Sequence, residues 1–375
     1  MKNLSQKQNE MLKLIEQLVN IDSGSYFKEG IDKVGNILKE KYEENGFIVE
    51  IVEQEEHGNH LIIKHKEALD PKILVVAHMD TVFPKGTVDK RPFSIDGNVA
   101  FGPGVIDMKA SQVTALYALK ALVECQDEAI KNVEIILNSD EEIGSPTSRA
   151  LIEQKTKGKK YALIMEPARK DGSLVTERRG GGLYTINVKG IAAHSGIEPE
   201  KGRSAIEELA YKIVKLHQLN DHENGISVNV GLIKGGDSVN TVSPKAVGRI
   251  DVRISKPEQA EIIHEKIKEI CSVSDVNGTT IELIGCIDRP PMVKNEQTVQ
   301  LLNVIKEVGK EIGIEVIDTK TGGGSDASFT SAKGIATIDG LGPVGGNPHS
   351  DEEYLEISTL TERALLLMKT IQKLS

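Results

Sequence analysis

Five places along the chain carry residues that bind cations or move protons. His78 and Asp80 close the run ILVVAHMD; Asp107 lies in GPGVIDMK; Glu141 and Glu142 lie in NSDEEIGS; Glu166 ends LIMEP; His349 follows GGNP near the end. Taken singly, each has an ordinary explanation. A histidine at a strand end is commonly satisfied by its neighbours, and an acidic run is commonly a solvated loop. Taken together they fall at one edge of one predicted sheet, where several carboxylates repel one another unless a cation lies between them. Imidazole and carboxylate without thiolate suit zinc with open coordination positions, the catalytic rather than the structural pattern. Candidate ligands from five places are too many for one tetrahedral ion. They match two ions roughly 3.5–4 Å apart that share a bridging carboxylate, which leaves one further carboxylate to act as a base.

The elements that must hold these groups follow from periodicity. Apolar residues at helical spacing predict helices over 5–21 and 29–45. Strands are predicted at FIVEIVEQ, HLIIKHK, KILVVAHMD, VEIILNSDEE and KYALIMEP, with a helix from Ser111 to about Leu122. The apolar runs ILVVA and VEIIL read as interior strands of an α/β sheet, whose active groups sit at the carboxyl ends of the strands. Near Glu177 the texture changes to TERRGGGLYTINVKG. The order that follows is strand, helix (Ser204 to His217), two strands, helix (Glu258 to Ile270), strand, which predicts a split βαβ domain inserted into the larger one. After Arg289-Pro290-Pro291 the first texture resumes, with a helix from about Thr298 to Gly313, the loop TGGGSDASF, a strand IATIDGLG and a last helix from Leu360.

The motifs HMDTVFPKGT, PFSIDGNVAFGPGVIDMK, SDEEIGS, MEP, AAHSG, GGDSVNTVSP and GGGSDA resemble, in order and spacing, the two-zinc metallopeptidase family. Its members include glutamate carboxypeptidase, acetylornithine deacetylase, succinyl-diaminopimelate desuccinylase and tripeptidase T. The likeness runs over roughly residues 10 to 370, and FPKGT with GPGVIDMK points to the glutamate carboxypeptidase branch. The resemblance implies an α/β fold: a zinc-exopeptidase-like mixed sheet sandwiched by helices, with an inserted ferredoxin-like α+β dimerisation (lid) domain. The expected boundaries are 1–176 and 289–375 for the catalytic domain and 177–288 for the insert.

The resemblance also implies roles. Asp107 bridges two Zn2+ per subunit, with Co2+ or Mn2+ as possible substitutes; His78 and Glu166 complete one site, Glu142 and His349 the other. Glu141 is the general base, and Asp80 orients His78 through its second ring nitrogen. A cis peptide is expected after Asp107. His194 is expected to donate to the developing oxyanion, often from the partner subunit of a homodimer. Asn240, Arg253 and Arg289 are expected to hold the substrate carboxylate, with Gly323 in a backbone loop approaching substrate. Arg253 has an equally good reading as a surface ion pair. Ala110 and Ser111 depart from the glycines that often follow this motif, with little consequence expected because both are small. His57, His60, His65, His217, His222 and His264 lie outside the motifs and read as surface residues.

The implied reaction is cleavage of an amide bond beside a carboxy-terminal amino acid such as glutamate, by zinc-activated water with Glu141 as base. An N-acyl-amino-acid amidohydrolase, deacetylase or desuccinylase would use the same centre. A binding protein that has lost catalysis would have lost at least one of these ligands, and none is missing. A net charge of -10 over 375 residues argues against nucleic acid as a partner. No run approaches the roughly 18 apolar residues of a membrane helix, and no secretory signal is apparent. Three widely spaced cysteines, Cys125, Cys271 and Cys286, imply no disulfide framework, and together these features read as cytoplasmic.

Overall fold

The computed structural model describes Leu4 and residues 6–375. The chain folds as two compact units, one of Met1–Glu177, Lys294–Thr321 and Ser325–Ser375, the other of Arg178–Val293 with Gly322–Gly324.

The first unit is built on a six-stranded sheet in the order Phe47–Val52, His60–His65, Val133–Asn138, Ile73–His78, Tyr161–Ile164, Ala336–Ile338. The last four run parallel; the first two are antiparallel additions. Every residue of Ile73–His78 and Val133–Asn138 is buried, as a strand covered on both faces requires. Helix Ala110–Glu124 is buried almost all round because it lies inside the core, whereas Gln8–Val19 buries one stripe of Met11, Leu14, Ile15, Leu18 and Val19. Helices Glu296–Ile312 and Thr359–Leu374 pack in the same core. Asn295 caps the former by accepting the Thr298 N–H at 2.9 Å, and left-handed Gly313 ends it. The predicted helix over 5–21 corresponds to Gln8–Val19; residue 5 lies outside the described residues.

Four short strands, Ser94–Asp96, Val99–Phe101, Gly345–Gly346 and Tyr354–Glu356, form a small sheet that periodicity does not reveal, since two or three residues carry no measurable period. That sheet brackets the turn bearing His349.

The second unit is a four-stranded antiparallel sheet in the order Ser227–Gly235, Lys245–Ile254, Gly180–Lys189, Thr280–Arg289. Two helices, Ala205–His217 and Gln259–Ser272, share its core of Tyr184, Ile186, Leu209, Val252, Ile263 and Ile267. Ser204 caps the first by accepting the Glu207 N–H at 3.1 Å. A side chain at Gly182 would place Cβ 2.0 Å from the Cys286 carbonyl oxygen, so only glycine permits that strand pairing. The unit extends past Arg289 because Arg178 and Met292 exchange a pair of main-chain hydrogen bonds at 3.0 Å.

One expectation from the sequence is corrected here. His60 is fully buried, not on the surface; its ring bonds Thr147 Oγ1 at 3.0 Å and Ser139 Oγ at 2.9 Å. All three cysteines are free thiols. Among the described residues no helix is long and apolar enough to cross a membrane.

Candidate metal centre

Parallel pairing brings the candidate ligands to one rim. His78 lies opposite Asn138 in the register, Glu141 and Glu142 follow three and four residues later, and Glu166 follows the strand that pairs with Ile73–Val76. Asp107 arrives from the turn before helix Ala110–Glu124, where the Asp107–Met108 peptide is cis. His349 stands on its turn with φ +64°, a left-handed conformation seldom adopted outside glycine, and Asn347 beside it has φ +53°.

Asp107 faces two ways. Its Oδ1 lies 3.1 Å from His78 Nε2, and its Oδ2 lies 3.3 Å from His349 Nε2. Glu166 Oε1 is 3.8 Å from His78 Nε2, and Glu142 Oε2 is 3.2 Å from His349 Nε2. Two candidate ligand sets result, His78–Asp107–Glu166 and Asp107–Glu142–His349, each with its possible ligand atoms within 4.8 Å of one another.

The electrostatics show what the sets need. Burial, reinforced by the charge of Asp107, pushes Glu166 well above the usual carboxylate range, and burial raises Glu142 in the same direction. Burial also opposes charge on Asp107 and on His78. Their mutual hydrogen bond prevails, together with the one Asp107 makes to His349, so Asp107 is held low and His78 well above the ordinary imidazole value. Hydrogen bonds to Asp107 and Glu142 lift His349 to about 10. Positive charge among these acids is strongly favoured, and Glu142 Oε1 is buried with no hydrogen-bond partner. Imidazole nitrogens, carboxylate oxygens and an orphaned buried oxygen fit divalent cations of the zinc type.

Asp80 organises the rim. Its carboxylate accepts from Ser25 Oγ at 2.7 Å and from the main-chain N–H groups of Glu141 and Glu142, both at 3.2 Å. Its carbonyl oxygen lies 3.0 Å from His78 Nδ1, closer than its carboxylate at 3.4 Å. Asp80 thus holds the acidic pair as much as the histidine. Asp80→Ala is expected to lower kcat about 10–100-fold, the usual penalty for losing a ligand's outer partner. Asp80→Asn, which keeps an oxygen for those N–H groups, should lose less; steady-state kinetics with parallel metal analysis measures both.

The expected substrate contacts belong to the second unit. His194 forms an isolated bridge with Thr241, and the Ser195 N–H donates to the Asn240 carbonyl at 2.9 Å, so His194 and Asn240 share one exposed loop cluster. Arg253 and Arg289 both lie opposite Gly181 in the sheet register. Arg289 also packs on the glycine loop, where a Cβ at Gly324 would come within 2.7 Å of its Cδ. Arg178, which no motif singles out, donates to the Gly323 and Gly324 carbonyls at 3.1 and 3.3 Å. Arg253 is committed to Asp251 by Nε and Nη2 bonds of 3.0 and 2.9 Å, the surface-pair alternative.

Three more residues take no role from the motifs alone. Arg91 donates to the Ser350 carbonyl at 2.9 Å and lies 4.6 Å over the Phe83 ring, bracing the His349 turn. Buried Lys109 donates to the Ile21 carbonyl at 2.8 Å and is pushed down to about 7 by burial. Buried Glu353 is pushed up to about 7, also by burial. A lysine directly after Asp107–Met108 and the last acid of an exposed-looking DEE run have nothing in their neighbours to set them apart.

A mixed sheet with imidazoles and carboxylates converging at its carboxyl edge makes a candidate centre for divalent cations. Residues 74–373 match the description "Peptidase family M20/M25/M40", and the chain belongs to that family of metal-dependent peptidases. Carboxypeptidase G2 of Pseudomonas sp. (strain RS-16) is 30% identical over 98% of this chain and 90% of its own. Succinyl-diaminopimelate desuccinylase of Pseudoalteromonas translucida is 25% identical over 79% of this chain and 81% of its own. The crystal structure of aminopeptidase PepT from Bacillus cereus superposes with a TM-score of 0.79 at 25% identity, covering 98% of both chains.

Proposed function

We propose that the chain is an exopeptidase that holds two Zn2+ ions and releases a carboxy-terminal amino acid, as the likeness to carboxypeptidase G2 suggests. The observation that carries this reading is Asp107, with one oxygen toward His78 and the other toward His349. Two cations held by His78, Asp107 and Glu166 and by Asp107, Glu142 and His349 would polarise the scissile carbonyl and acidify a water. Co2+ or Mn2+ would suit the same donors.

Glu141 belongs to neither ligand set. Its carboxylate takes the proton of the attacking water and returns it to the leaving amine. Asp80 anchors the Glu141 main chain, so that this carboxylate stays at the rim. By the family resemblance, His194, often from the partner subunit, would donate to the developing oxyanion, and Arg289 and Asn240, with the glycine loop at Gly323, would bind the substrate carboxylate. Arg253 takes part only by giving up Asp251.

The desuccinylase relative favours a second reading, an N-acyl-amino-acid amidohydrolase working at the same centre. Both substrates place an amide beside a carboxylate, so ligand geometry does not separate them. Zinc-reconstituted protein offered glutamate-terminated peptides and N-acetyl or N-succinyl amino acids should show the higher kcat/KM on the peptides; the reverse order establishes the second reading.

The proposal includes a homodimer formed through the second unit. Ile206, Tyr211 and Val214 on one helix and Leu232 and Ile233 on an edge strand are large apolar side chains left exposed there. Sedimentation should give a dimer, and a monomer at all concentrations would remove this element.

A further inference from the structure

Glu353 belongs to neither ligand set, yet its carboxylate is bound wholly to the turn that carries Asp107. Oε1 accepts the main-chain N–H of Ile106 at 2.9 Å and of Asp107 at 3.1 Å, and Oε2 accepts that of Gly104 at 3.1 Å. The residue is 0% exposed. The turn needs such an acceptor. Gly104 is left-handed at φ +71°, and Asp107 and Met108 leave helical conformation at φ -114° and -135°. Buried N–H groups without an acceptor are strongly unfavourable.

Satisfying those N–H groups does not by itself call for a charge. A buried carboxylate near Asp107 is disfavoured both by lost hydration and by like charge. What this side chain adds is a fork of two acceptor oxygens that holds three N–H groups of the turn at once, which a single-oxygen acceptor does not do. The part fixed is the segment from which Asp107 must present Oδ1 toward His78 and Oδ2 toward His349, at 3.1 and 3.3 Å. Turning Asp107 toward either histidine would draw it from the other. Glu353 also lies four residues after His349, and its own N–H donates to the Ser350 carbonyl at 3.3 Å. One side chain therefore joins the turn of the shared ligand to the turn of the second histidine.

We propose that Glu353 is a positioning residue that locks the Asp107 turn against the His349 turn, so that one carboxylate serves both cations. This inference rests on the two-cation reading above. It assigns Glu353 no contact with substrate or with either ion. Its contribution is preorganisation: the ligand sets stand ready without the turn having to order when a cation arrives.

The test uses chelator-treated full-length protein titrated with Zn2+ by calorimetry, with the thermal midpoint measured with and without Zn2+. Glu353→Gln should bind Zn2+ about 10–100-fold more weakly than wild type. Its midpoint should rise less on adding Zn2+, because stabilisation by a ligand falls as its Kd grows. After saturation with Zn2+, kcat should remain lowered with KM unchanged. Glu353→Asp, which keeps both acceptor oxygens on a shorter stem, should fall between the two. It also carries the test if the glutamine variant does not fold, again by a Kd weaker than wild type. A purely structural role would lower the midpoint equally with and without Zn2+ and leave the Kd alone, and that result overturns the proposal. Wild-type protein that saturates below two Zn2+ per chain would instead defeat the two-cation reading.

Discussion

Asp107→Ala should strip both ligand sets at once. The two sets share this residue and no other, so its loss leaves His78 with Glu166 and Glu142 with His349, two ligands apiece. Two ligands are fewer than the three protein ligands that catalytic zinc sites ordinarily have. Purified variant should carry less than one ion per chain, and kcat/KM should fall by more than ~100-fold, the upper end for losing merely an outer partner of a ligand. His78→Ala is the informative contrast, because it damages one set and leaves Asp107, Glu142 and His349 intact. Elemental analysis of the two variants beside wild type measures the difference directly. An Asp107→Ala protein that retains both ions would remove the bridging role.

Glu141→Gln should separate chemistry from metal binding. Glutamine keeps the size of the side chain and removes the proton acceptor. Neither ligand set includes Glu141, so metal content should match wild type. Loss of a positioned general base lowers kcat by about 10²–10⁴-fold, or about 2.7–5.5 kcal/mol in the barrier. KM should change little, since the missing interaction belongs to the transition state. Steady-state kinetics on zinc-saturated protein decides it. Full retained activity would reassign the base; lost zinc would make Glu141 a ligand.

The parts of this architecture legible in the sequence are those where a single physical demand governs a whole segment. ILVVA is continuously apolar and VEIIL is so except for Glu134, because both faces of these strands are covered, and that pattern points to the two central strands. The acidic groups at their ends stand out because so many carboxylates at one edge require a cation. Helix Ala205–His217 is legible from its Ser204 cap and apolar stripe.

Residues whose partners come from distant segments are hidden. His60 is buried among Ser139 and Thr147, about eighty residues away along the chain, and nothing in HLIIKHK distinguishes it from His65. Glu353 closes an acidic run that reads as solvated, and only the fold shows three N–H groups waiting for it. Arg253 is the converse case. Asp251 is two residues earlier on the same face of a strand, so period two alone makes the ion pair available. The turn carrying His349 depends on strands of two and three residues, too short for any periodicity to reveal.

The most direct measurement is anomalous diffraction at the zinc edge from crystals of the metal-loaded protein. Two peaks per chain are expected, one beside His78 and Glu166 and the other beside Glu142 and His349, each in contact with an oxygen of Asp107. A single peak, or two peaks with Asp107 touching neither, would contradict the two-cation centre.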